Sequence, residues 1–343
     1  MSLWYLGTGT GPILGALTAY GLLFYTGDHF RSWQIVFLIY GLITIAVGIC
    51  VVIFLPDSPM AAPRLSREEK IVCIERVREN QTGIENKRFK MSQFIEIWQD
   101  PQTYLIIIIV TAMNVNNAAT STFSSQIIKN FGYTTKETEL LNIPGGVISL
   151  IAVYSAGYLS SRFDQRCWSA VLVLAIGLVG SCLQAFCPGN QGAQLAGNYL
   201  TNTIGASLPV LYSIGGANTA GHTKKVTMNA VLLMSFCLGN ILGPLTFREG
   251  APQFMAAKET MVGTLAVTIA FTLVLKYYYI WENRRRDLRK QQVMEADDSG
   301  VDSEDRVQDK EFLDLTDRKN MAFRVSFLFL FFLTLWTDLS DFF

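Results

Sequence analysis

The chain has 343 residues, 50% of them hydrophobic and 16% charged, with 28 basic and 28 acidic side chains. Soluble domains carry about 25% charged residues, so the shortfall sits in long charge-free runs, and zero net charge leaves no electrostatic footprint for nucleic acid. Six cysteines without paired spacing read as small buried hydrophobes, and His29 and His222, far apart beside apolar runs, read as solvated or interfacial rather than as metal ligands.

A membrane helix needs roughly 20 consecutive apolar residues to cross about 30 Å of hydrocarbon. Eight runs qualify, at about 4–25, 33–55, 102–121, 140–159, 168–187, 193–215, 227–247 and 260–281. None holds an Asp, Glu, Lys or Arg until the last reaches Lys276 near its end. The fold class is therefore an all-α integral membrane bundle. The first run lacks a basic stretch before it and is followed by further spans, so it is not a cleaved signal peptide. Within it Gly7, Gly11 and Gly15 recur at every fourth residue beside Pro12, a spacing that lets helices approach closely.

The loop from 56 to 101 divides the spans two and six. Leu55-Pro56-Asp57-Ser58-Pro59 stops the second span. Ser66-x-x-Glu69 is a capping box; after it Ile71, Ile74 and Val77 at helical spacing predict an amphipathic helix on the membrane surface. Asp100-Pro101 is a good start for the third span.

Polar residues inside hydrocarbon are costly unless partnered. In the third span Asn114, Asn117 and Thr120 or Ser121 share one face; in the sixth Asn198, Asn202 and Gly205 share another. These faces bond neighbouring helices or line a water-filled solute path, and the four asparagines are the candidate substrate-binding residues. Pro209 is expected to kink the sixth span, and Gly239-Asn240-Ile241-Leu242-Gly243-Pro244 to break the seventh near its end, a candidate hinge. No span is expected to contain a buried charge, which leaves proton coupling and anion binding without a group in these spans. There is no clustered His/Asp/Glu set and no nucleophile–base pair near a span end, so neither an enzyme nor a cofactor is expected.

Basic residues stay on the cytoplasmic side. The segments 56–101, 160–167, 216–226 and the tail after 281 are richer in Lys and Arg than the opposite loops by roughly threefold or more, which predicts both termini inside. Asn80-Gln81-Thr82 matches a glycosylation sequon but falls in the most basic loop, on the side where it is not modified. The polar, acidic tail at about 291–320 is expected to be disordered. The apolar stretch from Ser326 to Trp336 is about half the length of a span.

Several segments together resemble the fungal allantoate permease family, anion:cation symporters of the major facilitator superfamily. They are Phe37-Leu38-Ile39 to Pro59, the run from Arg76 to Lys87, Ile127-Ile128-Lys129-x-Phe131-Gly132, Asn218-x-Ala220-Gly221-His222-Thr223-Lys224-Lys225, Gly239-Asn240-Ile241-x-Gly243-Pro244, and Asp314-Leu315-Thr316-Asp317 with Phe323-Arg324. Gly157, Arg162 and Arg166 are similar to the superfamily's cytoplasmic loop motif. The resemblance implies twelve spans in two six-helix halves, alternating access, and proton-coupled import of a small organic anion such as allantoate or nicotinate across the plasma membrane. It implies that this chain corresponds to spans five to twelve, the first four being absent. On that reading 1–55 closes the N-terminal half, 56–101 is a cytoplasmic linker, 102–281 is the six-helix C-terminal half and 282–343 a cytoplasmic tail. Asn117-Ala118-Ala119 departs from the family's common Asn-Gly-Gly. The alternative is a membrane protein that does not itself transport, or an interaction partner of another permease. Oligomeric state is not legible.

Overall fold

The computed structural model describes residues 2–25, 27, 30–56, 62, 65–78, 89–130, 132–163, 165–248, 254–296 and 316–318. The sequon at Asn80, most of the acidic tail, Phe323-Arg324 and the apolar stretch 326–336 lie outside the described residues. The helices are α1 (Ser2–Tyr5), α2 (Gly7–Leu22), α3 (Ser32–Phe54), α4 (Arg67–Arg78), α5 (Met91–Trp98), α6 (Pro101–Asn130), α7 (Thr135–Arg162), α8 (Arg166–Phe186), α9 (Gln191–Thr201), α10 (Ser207–Ala217), α11 (His222–Leu245) and α12 (Met255–Ala296). A short 3-10 turn, Ile204–Ala206, joins α9 to α10, and the described residues contain no strand.

Local chemistry sets the boundaries. The side chain of Asp100 accepts from the backbone N–H of Gln102 at 3.3 Å, and Pro101, whose missing N–H would be unpaired there anyway, takes the first position of α6. Ser66 and Glu69 close the expected capping box on α4, and Thr134 and Glu137 close another on α7. The sixth apolar run is interrupted between Thr201 and Ser207. Pro209 has no N–H to donate and its ring crowds the carbonyl four residues back, so the preceding turn tightens to 3-10 geometry. The Thr203 hydroxyl lies 2.8 Å from the Leu200 carbonyl and 3.0 Å from that of Val173, which serves backbone acceptors at the interruption.

Six described helices (α3, α6, α7, α8, α11 and α12) are individually long and apolar enough to cross a membrane. The α1–α2 and α9–α10 pairs make up the other two runs. α6 is central, packed most extensively against α11 and then α12, while α8 packs against α9, α12 and α10. The core joins Ile106, Ile109, Val110 and Met113 of α6 to Val173 and Leu174 of α8, Leu211 of α10, Leu232 of α11 and Leu265 of α12.

Lipid is as apolar as leucine, so helices in a bilayer associate through close packing rather than through water expulsion. The α6–α11 contact shows this. A methyl on Gly239 would lie 2.6 Å from the Thr111 carbonyl oxygen, and one on Gly243 would lie 2.5 Å from that of Val115. The expected break at Gly239–Pro244 is absent: α11 is continuous to Leu245, and its glycines are a packing seam. Ala118 and Ala119 face Gly243 here, so the two backbones approach with the glycine on α11. The Gly7–Gly11–Gly15 ridge also differs from expectation, having nothing within 4 Å, whereas Gly9 meets Gly146 of α7. α3 has no buried residue.

The tail is helical further than the apolar run implies. α12 continues to Ala296, helped by an i,i+4 pair between Glu282 and Arg286 at 3.0 Å. Thr316 and Asp317 are buried against the bundle.

Candidate functional site

The four candidate asparagines do not share one wall. Asn114 is fully buried at the α6–α11 seam, where a methyl on Gly239 would meet its Cβ. Its Nδ2 donates to the Val110 carbonyl at 2.7 Å. Asn117, half-buried, faces the 3-10 turn: a methyl on Gly205 would lie 3.6 Å from Asn117 Oδ1. Asn198 and Asn202 are one turn apart at the end of α9, and Asn202 Nδ2 donates to the Asn198 carbonyl at 2.8 Å. Asn202 also lies over Gly145 of α7, so α6, α7 and the α9–α10 interruption meet around these side chains.

Three residues not expected from the sequence, Ser124, Ser125 and Asn142, complete this polar strip. Asn198 Nδ2 donates to Ser124 Oγ at 3.1 Å, Ser124 Oγ donates to Asn142 Oδ1 at 2.9 Å, and Asn142 Nδ2 donates to Ser125 Oγ at 3.0 Å. The relay crosses from α9 through α6 to α7. Asn116, on a different face of α6, donates to Thr264 Oγ1 of α12 at 2.6 Å. The donors of this set are largely used, but the acceptors are not. Asn114 Oδ1, Asn116 Oδ1 and Asn198 Oδ1 are buried without a hydrogen-bond partner. An unpartnered buried acceptor costs on the order of 1–3 kcal/mol, so each is a place for water or for a donor brought in by a guest.

The loop-motif residues lie at the tail-side end. Gly157 is in α7, Arg162 is its last residue, and Arg166 opens α8. Arg166 Nη1 donates to the Ser213 carbonyl of α10 at 3.2 Å, tying α8 to the end of α10. Pro209 is buried in α10, and Asn240 Nδ2 donates to the Phe236 carbonyl within α11.

The expectation that no buried charge is retained is overturned. Lys276 of α12 is 8% exposed, its ammonium 4.1 Å from the ring centroid of Trp168. Lys224, in the segment 216–226 expected to be a cytoplasmic loop, is fully buried in the first turn of α11. Its Nζ lies 2.7 Å from Asp317, 3.1 Å from Glu96 and 3.2 Å from Asp100. Burial of an ammonium demands such partners. Gln93 Oε1 accepts from the backbone N–H groups of Thr223 and Lys224 at the start of α11. Thr316 donates to Glu96 at 3.0 Å, and Arg286 donates to the Asp317 carbonyl at 3.0 Å. One lysine thus holds α5, α6, α11 and the tail together. The sequence signal was present in the Thr223-Lys224-Lys225, Asp100-Pro101 and Thr316-Asp317 motifs, but nothing local says that they meet.

An all-α bundle of long apolar helices with polar side chains paired between them is a multi-pass integral membrane protein. The family model described as Major Facilitator Superfamily matches residues 1–244, and the chain belongs to that superfamily, whose members are transporters rather than enzymes. It is 36% identical over 329 residues to an uncharacterized transporter of Schizosaccharomyces pombe, covering 94% of this chain and 62% of the relative. It is 33% identical over 335 residues to the allantoate permease of Saccharomyces cerevisiae, covering 94% of this chain and 60% of the relative. A thiamine pathway transporter of the same yeast is 32% identical over 324 residues, with 94% and 60% covered. The chain therefore spans about three-fifths of the length of these curated relatives.

Proposed function

We propose that the chain forms part of an alternating-access importer for a small polar solute, and that Asn117, Asn198 and Asn202 line its path, with Asn114 behind them at the α6–α11 seam. The observation that carries this reading is the Asn198–Ser124–Asn142 relay beside the interrupted α9–α10 span, where Asn198 Oδ1, like Asn114 Oδ1 at the α6–α11 seam, is a buried acceptor without a donor. Such acceptors suit a solute that carries N–H groups, as an amide or ureide does. They do not suit a bare carboxylate, which needs donors or a cation. For an allantoate- or nicotinate-like anion, the carboxylate partner has to come from groups other than these asparagines. Proton coupling likewise belongs to the proposal, resting on similarity to the permeases. The interruption before Pro209 is the flexing point we favour; Gly239, Asn240, Gly243 and Pro244 serve as a sliding seam against α6. The basic segments at the tail-side end, including Arg162 and Arg166, support a cytoplasmic tail and an inward-facing N-terminus in the plasma membrane. The units 1–55, 56–101, 102–281 and 282–343 are kept as the working division.

The test is uptake of labelled allantoate and nicotinate by cells expressing this chain, beside a version extended to the length of its relatives. Uptake by the extended version that is lost in Asn198→Ala and Asn202→Ala supports the path. Absence of uptake of both solutes by a version correctly inserted in the membrane sinks the reading. A second reading, a subunit that assembles with another permease, is favoured by α3, which buries nothing in this bundle. Co-purification of a second permease with a chain that does not transport alone would support it.

A further inference from the structure

Where the tail segment meets the end of α12, a cavity of about 420 Å³ opens beside the buried Lys224 cluster. Tyr278 and Trp281 form its apolar wall, and Arg285, Arg286, Arg289 and Arg318 also line it. Among the described residues two carboxylates share the lining, Glu282 and Asp317, and both are engaged. Glu282 pairs with Arg286 at 3.0 Å, and Asp317 pairs with Lys224 at 2.7 Å. Among the described residues, that leaves three guanidiniums without a close carboxylate. Arg285 reaches Glu282 only at 3.9 Å and lies over the Trp281 ring, 5.4 Å from its centroid. Arg318 donates to a neutral acceptor, the Gln99 carbonyl, at 2.9 Å. Arg289 is exposed.

A guanidinium presents planar, paired donors that match phosphate oxygens. Three of them around one cavity, with an aromatic wall on the membrane side, form a site for a phosphate group. Trp281 follows directly on the apolar run of α12, at the depth where aromatic side chains and lipid headgroups meet. We propose that this cavity binds a phosphate group carried by an anionic lipid headgroup or by a soluble organic phosphate. One wall is Asp317–Arg318, held by Lys224, so the site exists only while the tail is docked. Occupancy therefore favours the docked tail by mass action. The choice of leaflet rests on the inward placement of the tail proposed above; the phosphate site does not.

The test uses the full chain purified in detergent. Native mass spectrometry reads retention of phosphatidylinositol 4,5-bisphosphate against phosphatidylcholine. A parallel thermal melt reads the response to inorganic phosphate and to inositol hexakisphosphate. The double variant Arg289→Gln/Arg318→Gln is expected to weaken binding roughly 30-fold, from two cationic contacts of the strength found near membranes. Arg284→Gln, which removes the same charge from a position outside the cavity lining, is expected to leave binding unchanged. Lipid retention lost only in the double variant supports a headgroup. A melt shift with the soluble phosphates, lost only in the double variant and without lipid retention, supports a soluble source. No response to any probe overturns the proposal. An equal loss in Arg284→Gln also overturns it, since attraction to the basic helix as a whole would then suffice. Both readouts are made on solubilised protein, so they are independent of uptake and of which way the chain faces.

Discussion

The middle of the bundle and its tail-side end use polar groups in opposite ways. At the tail-side end every buried charge of the Lys224 cluster has a close partner: Lys224 with Glu96, Asp100 and Asp317, and Arg286 with Glu282. In the middle the groups are neutral amides and hydroxyls, and the buried amide oxygens of Asn114, Asn116 and Asn198 have no donor. Paired ions fix a geometry, because removing one partner strands the other. Unpartnered neutral acceptors are cheaper to keep and can be satisfied by a passing guest. On the function proposed above, the contrast gives holding to one end and handling to the middle.

The largest test of that contrast is Lys224→Ala. It leaves three carboxylates around an empty ammonium site, and removing one partner of a buried ion pair costs about 3–5 kcal/mol. Heated detergent extracts analysed by size exclusion are expected to lose the monodisperse peak at a clearly lower temperature. Limited proteolysis is expected to cut more readily between α12 and Thr316. Glu96→Gln, which leaves two carboxylates on the lysine, is expected to change little. Equal damage from both substitutions would mean that packing rather than charge balance holds this end.

Next in size is the wall that carries Asn114. Gly243→Ala places a methyl 2.5 Å from the Val115 backbone oxygen, and overpacking of this kind costs about 1–3 kcal/mol. Gly263→Ala, in α12 with nothing within 4 Å, is expected to be neutral or to gain about 0.5–1 kcal/mol from helix propensity. The same thermal assay separates the two. If Gly243→Ala melted like Gly263→Ala, the α6–α11 seam would have to be looser than the structure has it.

Asn198→Ala is expected to cost less stability and more function. Interhelical hydrogen bonds in bilayers average about 0.6 kcal/mol, so loss of the contact to Ser124 should barely move the melt. Uptake by the extended version should fall severalfold or more. A variant that melts early while transporting normally would turn the polar strip from a solute path into helix packing.

How much of this was legible depended on range. Charge-free runs mark spans directly, since the bilayer imposes its thickness on one continuous segment. The caps at Ser66 and Asp100 were readable because cap and helix are neighbours in sequence. Asn114 and Asn117 were found by spacing, but spacing on one helix does not say which neighbour each side chain faces; they turned out to look toward α11 and toward the 3-10 turn. The Gly239–Pro244 motif points to a break because glycine and proline weaken isolated helices, yet in the bundle α11 runs unbroken to Leu245 and the absent side chains let α6 approach. Lys224 was the hardest case. A lysine in a short loop is solvated by default, and only the fold brings Lys224 to Glu96, Asp100 and Asp317.

The smallest expected effect is a pH dependence of tail docking, and it tests how charge is balanced within the Lys224 cluster. Burial raises the Asp317 pKa above the ordinary carboxylate value of 3.8, with Asp100 and Glu96 adding to the rise and Lys224 opposing it. Arg286 faces the same carboxylate from α12 at 3.9 Å. A carboxyl group with a raised pKa in the docked state binds protons more tightly docked than free. Docking is then weakest above the raised value, strengthens as pH falls through it, and levels off below the ordinary value. Proteolysis between α12 and Thr316, followed from neutral pH downward with an acid-tolerant protease, should slow over that window. Asp317→Asn should flatten the profile and hold the tail at every pH near the wild type's acid limit, because the neutral amide stands in for the protonated carboxyl. A wild-type profile that instead loosens on acidification would mean that the ion pair to Lys224 outweighs burial, and that the cluster is a lock opened rather than closed by protons.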